Sequence, residues 1–543
     1  MSSNIRRTEN FENRPLTDPP SRLAGDAYRT ISALRMQKTG LTSSEVNQVN
    51  AIVLDSPAIN DFNEKFLSLT LSFLLSPSAF QAGSSPVAIE SLCKRIMALN
   101  GLTLQGCNQA LGAFAKLITT NSEFEASRHK YFCQSVFETF KSDFLRACPN
   151  RELSNVFWAA HVLQLDGREA LLGDQVGSTL KSFDCTDLAL VCAGLMDSPD
   201  NPLWHAVRQE LLKRREFTQK DIPSILCSLA CAGINDRELI LHLVTVVLRT
   251  NLLTIRNLPA IVWAVGTCDS VSYELLDTAV ALINHEGFKI NDPMDIRRIS
   301  RGFALAGQLK RIETFLIQKL TMPEKHRSSS LTDSVAIWEL VTNKLGHTAL
   351  TLFRKQSLAS WKKLAEEAST NQSQLYHLYL ASLLDSTVIL DCDERDFLQS
   401  LQGSFSATTE DMSSSTLHRQ ASEALLKLEI EHVSEFKEET SGYVIDMYIP
   451  STNTAVEVQG PTHFLTDLVT GASVLRPADS FKHDVLRKVA GFRIVQATPW
   501  NFGPKVQARN EILMKAILEG KPVPRQPAQR RPKRANPPPD SSS

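Results

Sequence analysis

The sequence has few or none of four features: long apolar runs, paired cysteines, glycine and aromatic residues. No apolar run reaches the roughly 18 residues of a membrane-spanning helix, and the longest, such as IPSILCSLACAGI from Ile222, have the length of a buried core helix. None of the ten cysteines forms a Cys-x-x-Cys pair, which disfavours a zinc site. With 23 glycines, 7% aromatic and 43% hydrophobic residues, the composition favours a mostly helical protein without a membrane segment.

The net charge of −1 conceals an uneven distribution along the chain. Residues 201–365 hold 22 Lys and Arg against 15 Asp and Glu, whereas residues 366–446 hold 4 against 16. The C-terminal residues 521–543 hold 6 against 1. Basic segments of this kind suggest contact with a polyanion, with an ordinary solvated surface as the alternative.

The middle of this 543-residue chain contains an internal repeat. Six related apolar segments follow one another at intervals of 35, 34, 36, 38 and 39 residues, beginning at Leu153, Leu188, Ile222, Leu258, Ile296 and Val335. Each has the stripe of one amphipathic helix that ends near a small residue, and a second helix fits in the rest of each unit. Because one helical pair cannot bury its own apolar face, the repeat predicts an α-solenoid.

Cations in the repeat region are candidates for contact with RNA phosphates. They are Arg208, Lys213, Arg214, Arg215, Arg256, Arg297, Arg298, Arg301, Lys310 and Arg311. Arg297, Arg298 and Arg301 are the strongest, because their spacing of i, i+1 and i+4 places at least two of them on one helix face. Solvated surface charge and protein binding remain the alternatives.

The last part of the chain changes to alternating helices and strands. The pattern predicts a helix at 417–431 and three strands at 432–437, 443–449 and 454–459. A helix at 480–490, a strand at 492–497 and a last helix at 504–518 follow. This αβββαβ order is the core of the restriction-endonuclease-like fold. The fold class expected is therefore mostly α, with a solenoid followed by a small α/β domain.

Two carboxylates, Asp446 and Glu457, lie on the two predicted strands that flank a turn. In nucleases of this fold two such acids hold a divalent metal, and a Lys two places after the second acid activates the attacking water. Here that place is taken by Gln459, and Lys482 on the following helix could supply a displaced ammonium. A nuclease would thus use Asp446 and Glu457 as Mg²⁺ ligands with Lys482 beside them; the alternative is that the carboxylates are structural.

Two stretches, YVIDMYIPSTNTAVEVQGPTHF from Tyr443 and FKHDVLRKVAGFRIVQATPW from Phe481, together resemble the RAP domain, an RNA-binding module. The repeats are similar to the octotricopeptide and heptatricopeptide repeats that precede RAP domains in organelle RNA-binding proteins. RAP-like domains usually have Glu-Val-Asp-Gly where this chain has Glu-Val-Gln-Gly, and losing that acid favours binding over cleavage. The resemblance implies that RNA is contacted by residues of this domain: His463, Lys482, Arg487, Lys488 and Trp500. For Trp500 the alternative is packing beside the last helix.

Composition sets the expected boundaries. We expect a disordered or targeting segment at residues 1–26 and the solenoid at 27–402. A Ser/Thr-rich linker at 403–416 then leads to the RAP-like domain at 417–520, and a disordered basic tail follows at 521–543. Arginines with Ser and Thr in the first segment suggest a transit peptide, but its acidic residues count against one. The resemblance implies a mitochondrial location, with the plastid as the alternative.

The function expected is an RNA-binding protein in organelle RNA metabolism, in RNA processing, stability, ribosomal RNA maturation or translation. Its partners would be single-stranded or structured RNA and mitochondrial ribosome or RNA-processing proteins, with no membrane and no cofactor. One alternative is a metal-dependent endoribonuclease that uses Asp446, Glu457 and Lys482 with Mg²⁺. The other is a ribosome-associated scaffold.

Overall fold

The computed structural model describes residues 22–36, 41–55, 62–99, 102–121, 126–168, 173–320, 331–407, 416–498, 514–516 and 518–519. The described chain is mostly helical, as predicted, with a small region of β-sheet near its C-terminal end. It divides into two compact units, Met1–Ala232 and Gly233–Ser543. Trp500, the predicted tail, most of the helix predicted at 504–518 and residues 1–21 lie outside the described residues. No described helix has the length and apolar character needed to cross a membrane.

The first unit consists of helices in its described residues. They are α1 (Arg22–Met36), α2 (Ser43–Leu54), α3 (Glu64–Leu74), α4 (Pro77–Gln81), α5 (Pro86–Met97), α6 (Leu104–Thr120), α7 (Lys130–Asp143), α8 (Asn150–Val162), α9 (Gly173–Thr179), α10 (Cys185–Leu195), α11 (Leu203–Leu211) and α12 (Asp221–Cys231). Short polar side chains cap several of them: Asp184, for example, accepts from the backbone N–H of Asp187, and the Asp187 carboxylate accepts in return from the Asp184 N–H.

The second unit holds the remaining helices and all the described strands. Its helices are α13 (Arg237–Arg249), α14 (Leu258–Thr267), α15 (Tyr273–Glu286), α16 (Pro293–Leu305), α17 (Glu313–Leu320), α18 (Leu331–Thr342), α19 (Gly346–Phe353), α20 (Leu358–Glu367), α21 (Ser369–Leu384), α22 (Cys392–Ser400), α23 (Gln402–Ala407), α24 (Thr416–Lys427) and α25 (Pro477–Lys488). Its strands are β1 (Ser270–Val271), β2 (Val433–Lys437), β3 (Val444–Ile449), β4 (Thr454–Val458), β5 (Phe464–Asp467), β6 (Ser473–Leu475) and β7 (Arg493–Ala497). The start of the predicted 403–416 linker is thus helical, within α23.

The six predicted repeat segments all lie in helices, namely α8, α10, α12, α14, α16 and α18. In the first unit α8 packs on α10 and α10 on α12, and in the second unit α14 packs on α16 and α16 on α18. The α14–α16 crossing is close: a Cβ added at Gly302 would lie 2.6 Å from the carbonyl oxygen of Val262. Helices that carry neighbouring predicted repeat segments therefore pack against one another.

The C-terminal sheet has the strand order β2-β3-β4-β7, with β4 and β7 parallel and the other neighbours antiparallel. Helix α25 connects the two parallel strands, as a parallel pair requires. The buried face of the sheet includes Met447, Val456 and Val495, which pack on Ala421 and Leu425 of α24. The αβββαβ order predicted from the sequence matches these elements, apart from an insertion between β4 and α25.

That insertion is a β-hairpin, β5 with β6, which the sequence did not predict. Strand β5 also pairs in parallel with the two-residue strand β1, so the three form a second sheet. The Arg237 guanidinium of α13 donates to the Leu468 carbonyl at 2.9 Å, and Arg476 forms an ion pair with Asp269. The hairpin thereby ties the α/β region to the helical repeats within the second unit.

Candidate nucleic-acid interface

The second unit contains an open cleft of about 710 Å³ on the helices that carry the predicted arginines. Helices α14, α16, α18 and α21 form it, and it is lined by Trp263, Met294, Arg297, Arg298, Arg301, Val335, Trp338, Thr370, Ser373 and Gln374. We call it the Trp263–Trp338 cleft. The structure therefore brings Arg297, Arg298 and Arg301 together at one surface, as their spacing suggested.

The three arginines differ in how they are held. The Arg301 guanidinium donates to the buried Glu339 carboxylate at 2.9 Å and lies 5.6 Å from the centre of the Trp338 ring. Arg298 is more exposed and lies 3.8 Å from Asp295, while Arg297 makes no hydrogen bond or ion pair with another described residue. Arg301 is thus a positioned cation, and Arg297 and Arg298 are available to a ligand.

Glu339 lies on α18 beneath Arg301 and is only 3% exposed. Burial raises the pKa of this carboxyl, while the neighbouring Arg301 guanidinium opposes the rise. Ser300 adds a longer hydrogen bond of 3.4 Å to the second carboxylate oxygen. Glu339 therefore anchors Arg301 and links α16 to α18.

The two tryptophans of this cleft were not predicted from the sequence. Trp263 and Trp338 are half-buried on α14 and α18, so part of each ring is available to solvent. Aromatic faces interleaved with cations are typical of surfaces that bind single-stranded nucleic acid. The signal was present, because both tryptophans lie within the repeat segments that begin at Leu258 and Val335, but their periodicity alone is also that of core residues.

The predicted carboxylate site is assembled at the sheet. Lys482 of α25 donates to Glu457 of β4 at 2.7 Å and to the Val444 carbonyl at 2.8 Å. Asp446 of β3 accepts from the Val458 backbone N–H at 2.6 Å. Burial raises the pKa of Glu457 to about 7, although Lys482 opposes this shift. Lys482 is half-buried; its loss of solvent disfavours the charged form, but Glu457 and Asp446 outweigh that and raise its pKa.

These residues do not fit a metal ion well. One oxygen of Glu457 is occupied by the Lys482 ammonium, and one oxygen of Asp446 by a backbone N–H. A divalent cation would either displace Lys482 or be repelled by its positive charge. Among the described residues no group of three or more His, Cys, Asp or Glu is arranged to hold a metal. The arrangement favours a part-buried ion pair that holds α25 on the sheet.

Gln459, in the position of the nuclease lysine, is buried and contacts a histidine. Its Nε2 lies 3.0 Å from Nε2 of His483, and Gln496 Nε2 lies 3.1 Å from Nδ1 of the same ring. Burial, reinforced by nearby Lys482, lowers the pKa of His483 to about 4, so the ring is neutral and accepts at only one nitrogen. One of the two amides must therefore present its oxygen to the ring N–H. Gln459 is the better choice, because its oxygen is otherwise buried without a partner. Gln459 links β4 to α25 through His483.

The other predicted residues of this domain are scattered around α25. His463 lies 2.8 Å from Asp479, and this hydrogen bond raises the histidine pKa. Arg487 lies 3.7 Å from Asp484, and both Arg487 and Lys488 are exposed. Lys482 is held in the ion pair with Glu457, so it is poorly placed to contact RNA. Trp500 lies outside the described residues.

No protein-family model matches this chain, and no curated protein matches it at a significant level. The cleft and the carboxylate cluster are therefore the basis for assigning a function.

Proposed function

We propose that this protein binds single-stranded RNA and acts in organelle RNA metabolism. The observation that carries the proposal is the Trp263–Trp338 cleft, where two half-buried indole rings and three arginines face one opening. Indole rings stack on any base, and guanidinium groups pair with phosphates. An RNA strand is the partner that uses both at once.

The helices around the cleft suit an extended ligand. Neighbouring repeat helices present their solvent faces side by side. We propose that the helical pairs form an α-solenoid whose units present successive side chains to the RNA strand. The C-terminal sheet, with the mixed strand order of a restriction-endonuclease-like core, is then a RAP-like domain. Its RNA-facing residues would be those that remain accessible: His463, Arg487 and Lys488.

The place of action rests on the resemblance to RAP-domain proteins with helical repeats. It supports a mitochondrial location, with the plastid as the alternative, and a part in RNA processing, stability, ribosomal RNA maturation or translation. Partners would then include mitochondrial ribosome or RNA-processing proteins. Cellular imaging of the tagged chain and sequencing of RNA crosslinked to it in cells test both points.

The RNA-binding proposal is tested with purified protein and a fluorescent random-sequence single-stranded RNA. Replacing Arg297 and Arg298 together by Ala should weaken binding about tenfold and reduce the salt dependence, because each lost phosphate contact lowers the log–log slope by about 1. Replacing Lys362 and Lys363 together by Ala is the matched control: it removes the same charge from exposed positions on α20, outside the cleft. Equal losses in the two variants would show that charge, not the cleft, determines binding.

The alternatives have distinct outcomes in the same preparation. Wild-type protein that binds no free RNA but co-sediments with ribosomal particles would replace the proposal with a scaffold. RNA cleavage in Mg²⁺ that disappears in Glu457→Ala would establish an endoribonuclease. Because Lys482 bonds to Glu457 and a backbone N–H bonds to Asp446, we expect intact RNA.

A further inference from the structure

The first unit has an open cleft of its own, of about 450 Å³. Helices α1, α3, α4, α6 and α8 contribute to it. Its polar and aromatic lining comes mainly from Arg35 of α1, Asn108, Gln109 and Lys116 of α6, and Asn155 and Trp158 of α8. We call it the Trp158 cleft. None of the candidate RNA-binding residues named from the sequence lies in it.

Ser76 of this cleft caps α4, but several other polar side chains of the lining have no hydrogen-bond partner among the described residues. Asn108, Gln109 and Asn155 are half-buried, yet their amides make no hydrogen bond with another described residue. The same holds for the charged groups of Arg35 and Lys116, which are exposed at the opening. Because these amides are only half-buried, they are accessible from the cleft, and a ligand there could bond to all three.

Helical spacing directs these groups to one place. Asn108, Gly112 and Lys116 follow one another at i, i+4 and i+8 on α6, and Asn155 and Trp158 are separated by three residues on α8. Helices α6 and α8 pack directly on each other, so the two rows lie side by side. A Cβ added at Gly112 would meet nothing within 4 Å, so this glycine leaves room between the polar groups.

We propose that the Trp158 cleft is a second binding site for nucleotides of single-stranded RNA. A base stacks on the Trp158 indole, the amides of Asn108, Gln109 and Asn155 bond to the base edge, and Lys116 and Arg35 contact the flanking phosphates. This inference rests on the proposed RNA-binding function and adds a separate site to it, in the other unit.

Charge and composition select this ligand over others. No Asp or Glu is among the described residues that line the cleft, and two cations are, which favours an anionic ligand. Three amides beside one indole match a base, which presents both a flat face and a hydrogen-bonding edge. The Trp263–Trp338 cleft has the same combination of tryptophan, cations and an amide, Gln374.

Gly112 allows a test that removes no charge. Because its surroundings are open, Gly112→Phe should fill the cleft while leaving every polar group in place, and Gly112→Ala is the matched control that adds one methyl group. With the full-length chain and a random-sequence single-stranded RNA, we expect the affinity of Gly112→Phe to fall about tenfold and that of Gly112→Ala to stay unchanged. Circular dichroism should show the same helix content in both variants.

A second measurement locates the RNA directly. Random-sequence RNA containing 4-thiouridine is crosslinked to the wild-type chain and the modified peptides are identified by mass spectrometry. We expect a crosslinked peptide containing Asn155 and Trp158 in the wild type and its loss in Gly112→Phe. Trp158→Ala should weaken binding, whereas Trp158→Phe should keep most of it, because the ring still stacks.

The outcomes separate this inference from the proposed function. If Gly112→Phe binds RNA as the wild type does, while loss of Arg297 and Arg298 weakens binding, the Trp158 cleft is not an RNA site and the proposed function stands. If the wild type binds no RNA, both are overturned. If both variants weaken binding and their effects multiply in the combined variant, the two clefts contact RNA independently.

Discussion

Arg301 on α16 donates a hydrogen bond across 2.9 Å to Glu339 on α18, and the same guanidinium lies over the Trp338 ring. One residue thus joins α16 to α18 and forms part of the Trp263–Trp338 cleft. Its contact with Glu339 contributes to stability, and its position beside Trp338 presents a cation where we expect a base to stack.

Arg301→Ala should lower the free energy of unfolding by about 2–3 kcal/mol, because it leaves the buried Glu339 carboxylate without its charged partner. The loss should be smaller at pH 5 than at pH 8. Arg301 opposes the rise that burial causes in the pKa of Glu339. Without Arg301 this pKa rises further, so the folded state holds a proton that the unfolded state gives up as the pH rises above the ordinary value of 4.5.

Urea unfolding at the two pH values measures this effect. Arg298→Ala is the control, since Arg298 is 46% exposed and 3.8 Å from its partner; it should change the stability by less than about 0.5 kcal/mol. A pH-independent loss in Arg301→Ala would show that Glu339 does not carry the effect.

Two glycines should respond in opposite ways to the same substitution. Gly302→Ala places a methyl group against the Val262 backbone, where α14 crosses α16, and should destabilise its unit by about 1–3 kcal/mol. Gly112→Ala adds a methyl group in open space on α6 and should stabilise its unit by up to about 1 kcal/mol through helix propensity. Urea midpoints of the two variants check the signs. Destabilisation by Gly112→Ala would mean that the Trp158 cleft is narrower than described.

Local patterns made much of this fold predictable. The 34- to 39-residue spacing placed six repeat helices, because apolar periodicity in a helix is set by neighbours three or four residues away. The order of helices and strands around Asp446 and Glu457 followed from similar patterns and from the turn between β3 and β4.

The parts that could not be predicted depend on distant partners. Strand β1 has two residues within a helical repeat, and it is a strand only because it pairs with Thr466 and Asp467, nearly 200 residues later. The buried contact between Gln459 and His483 forms only because α25 lies over β4. Trp158 and Trp263 have the spacing of core residues, and only packing shows that they are half-buried in clefts.

His463 should titrate above its ordinary pKa of 6.5, because Asp479 accepts a hydrogen bond from its ring and favours the charged form. Because the pKa is raised, this pair stabilises the folded state in full below pH 6.5. The contribution is lost as the pH rises through the folded-state pKa of His463. Asp479→Asn should lower the pKa of His463 and flatten this part of the pH profile of stability. NMR titration of isotope-labelled histidine measures the pKa.

Asp484→Asn is the control for that titration, because Asp484 lies on the same helix but pairs with Lys344 and Arg487. The pKa of His463 should be unchanged in it. An equal fall in both variants would assign the shift to the general field of α25 and not to the Asp479 contact.

The β5–β6 hairpin should loosen when its contacts with α13 are removed. Arg237 donates to the Leu468 and Val469 carbonyls, so Arg237→Ala leaves those acceptors to water. Hydrogen exchange should then speed up in residues 464–475, while β3 and β4 stay protected, because their partners lie in the other sheet. Arg249→Ala, an exposed change on the same helix, should leave exchange unaltered. If Arg237→Ala also leaves it unaltered, the pairing of β5 with β1 is sufficient to hold the hairpin.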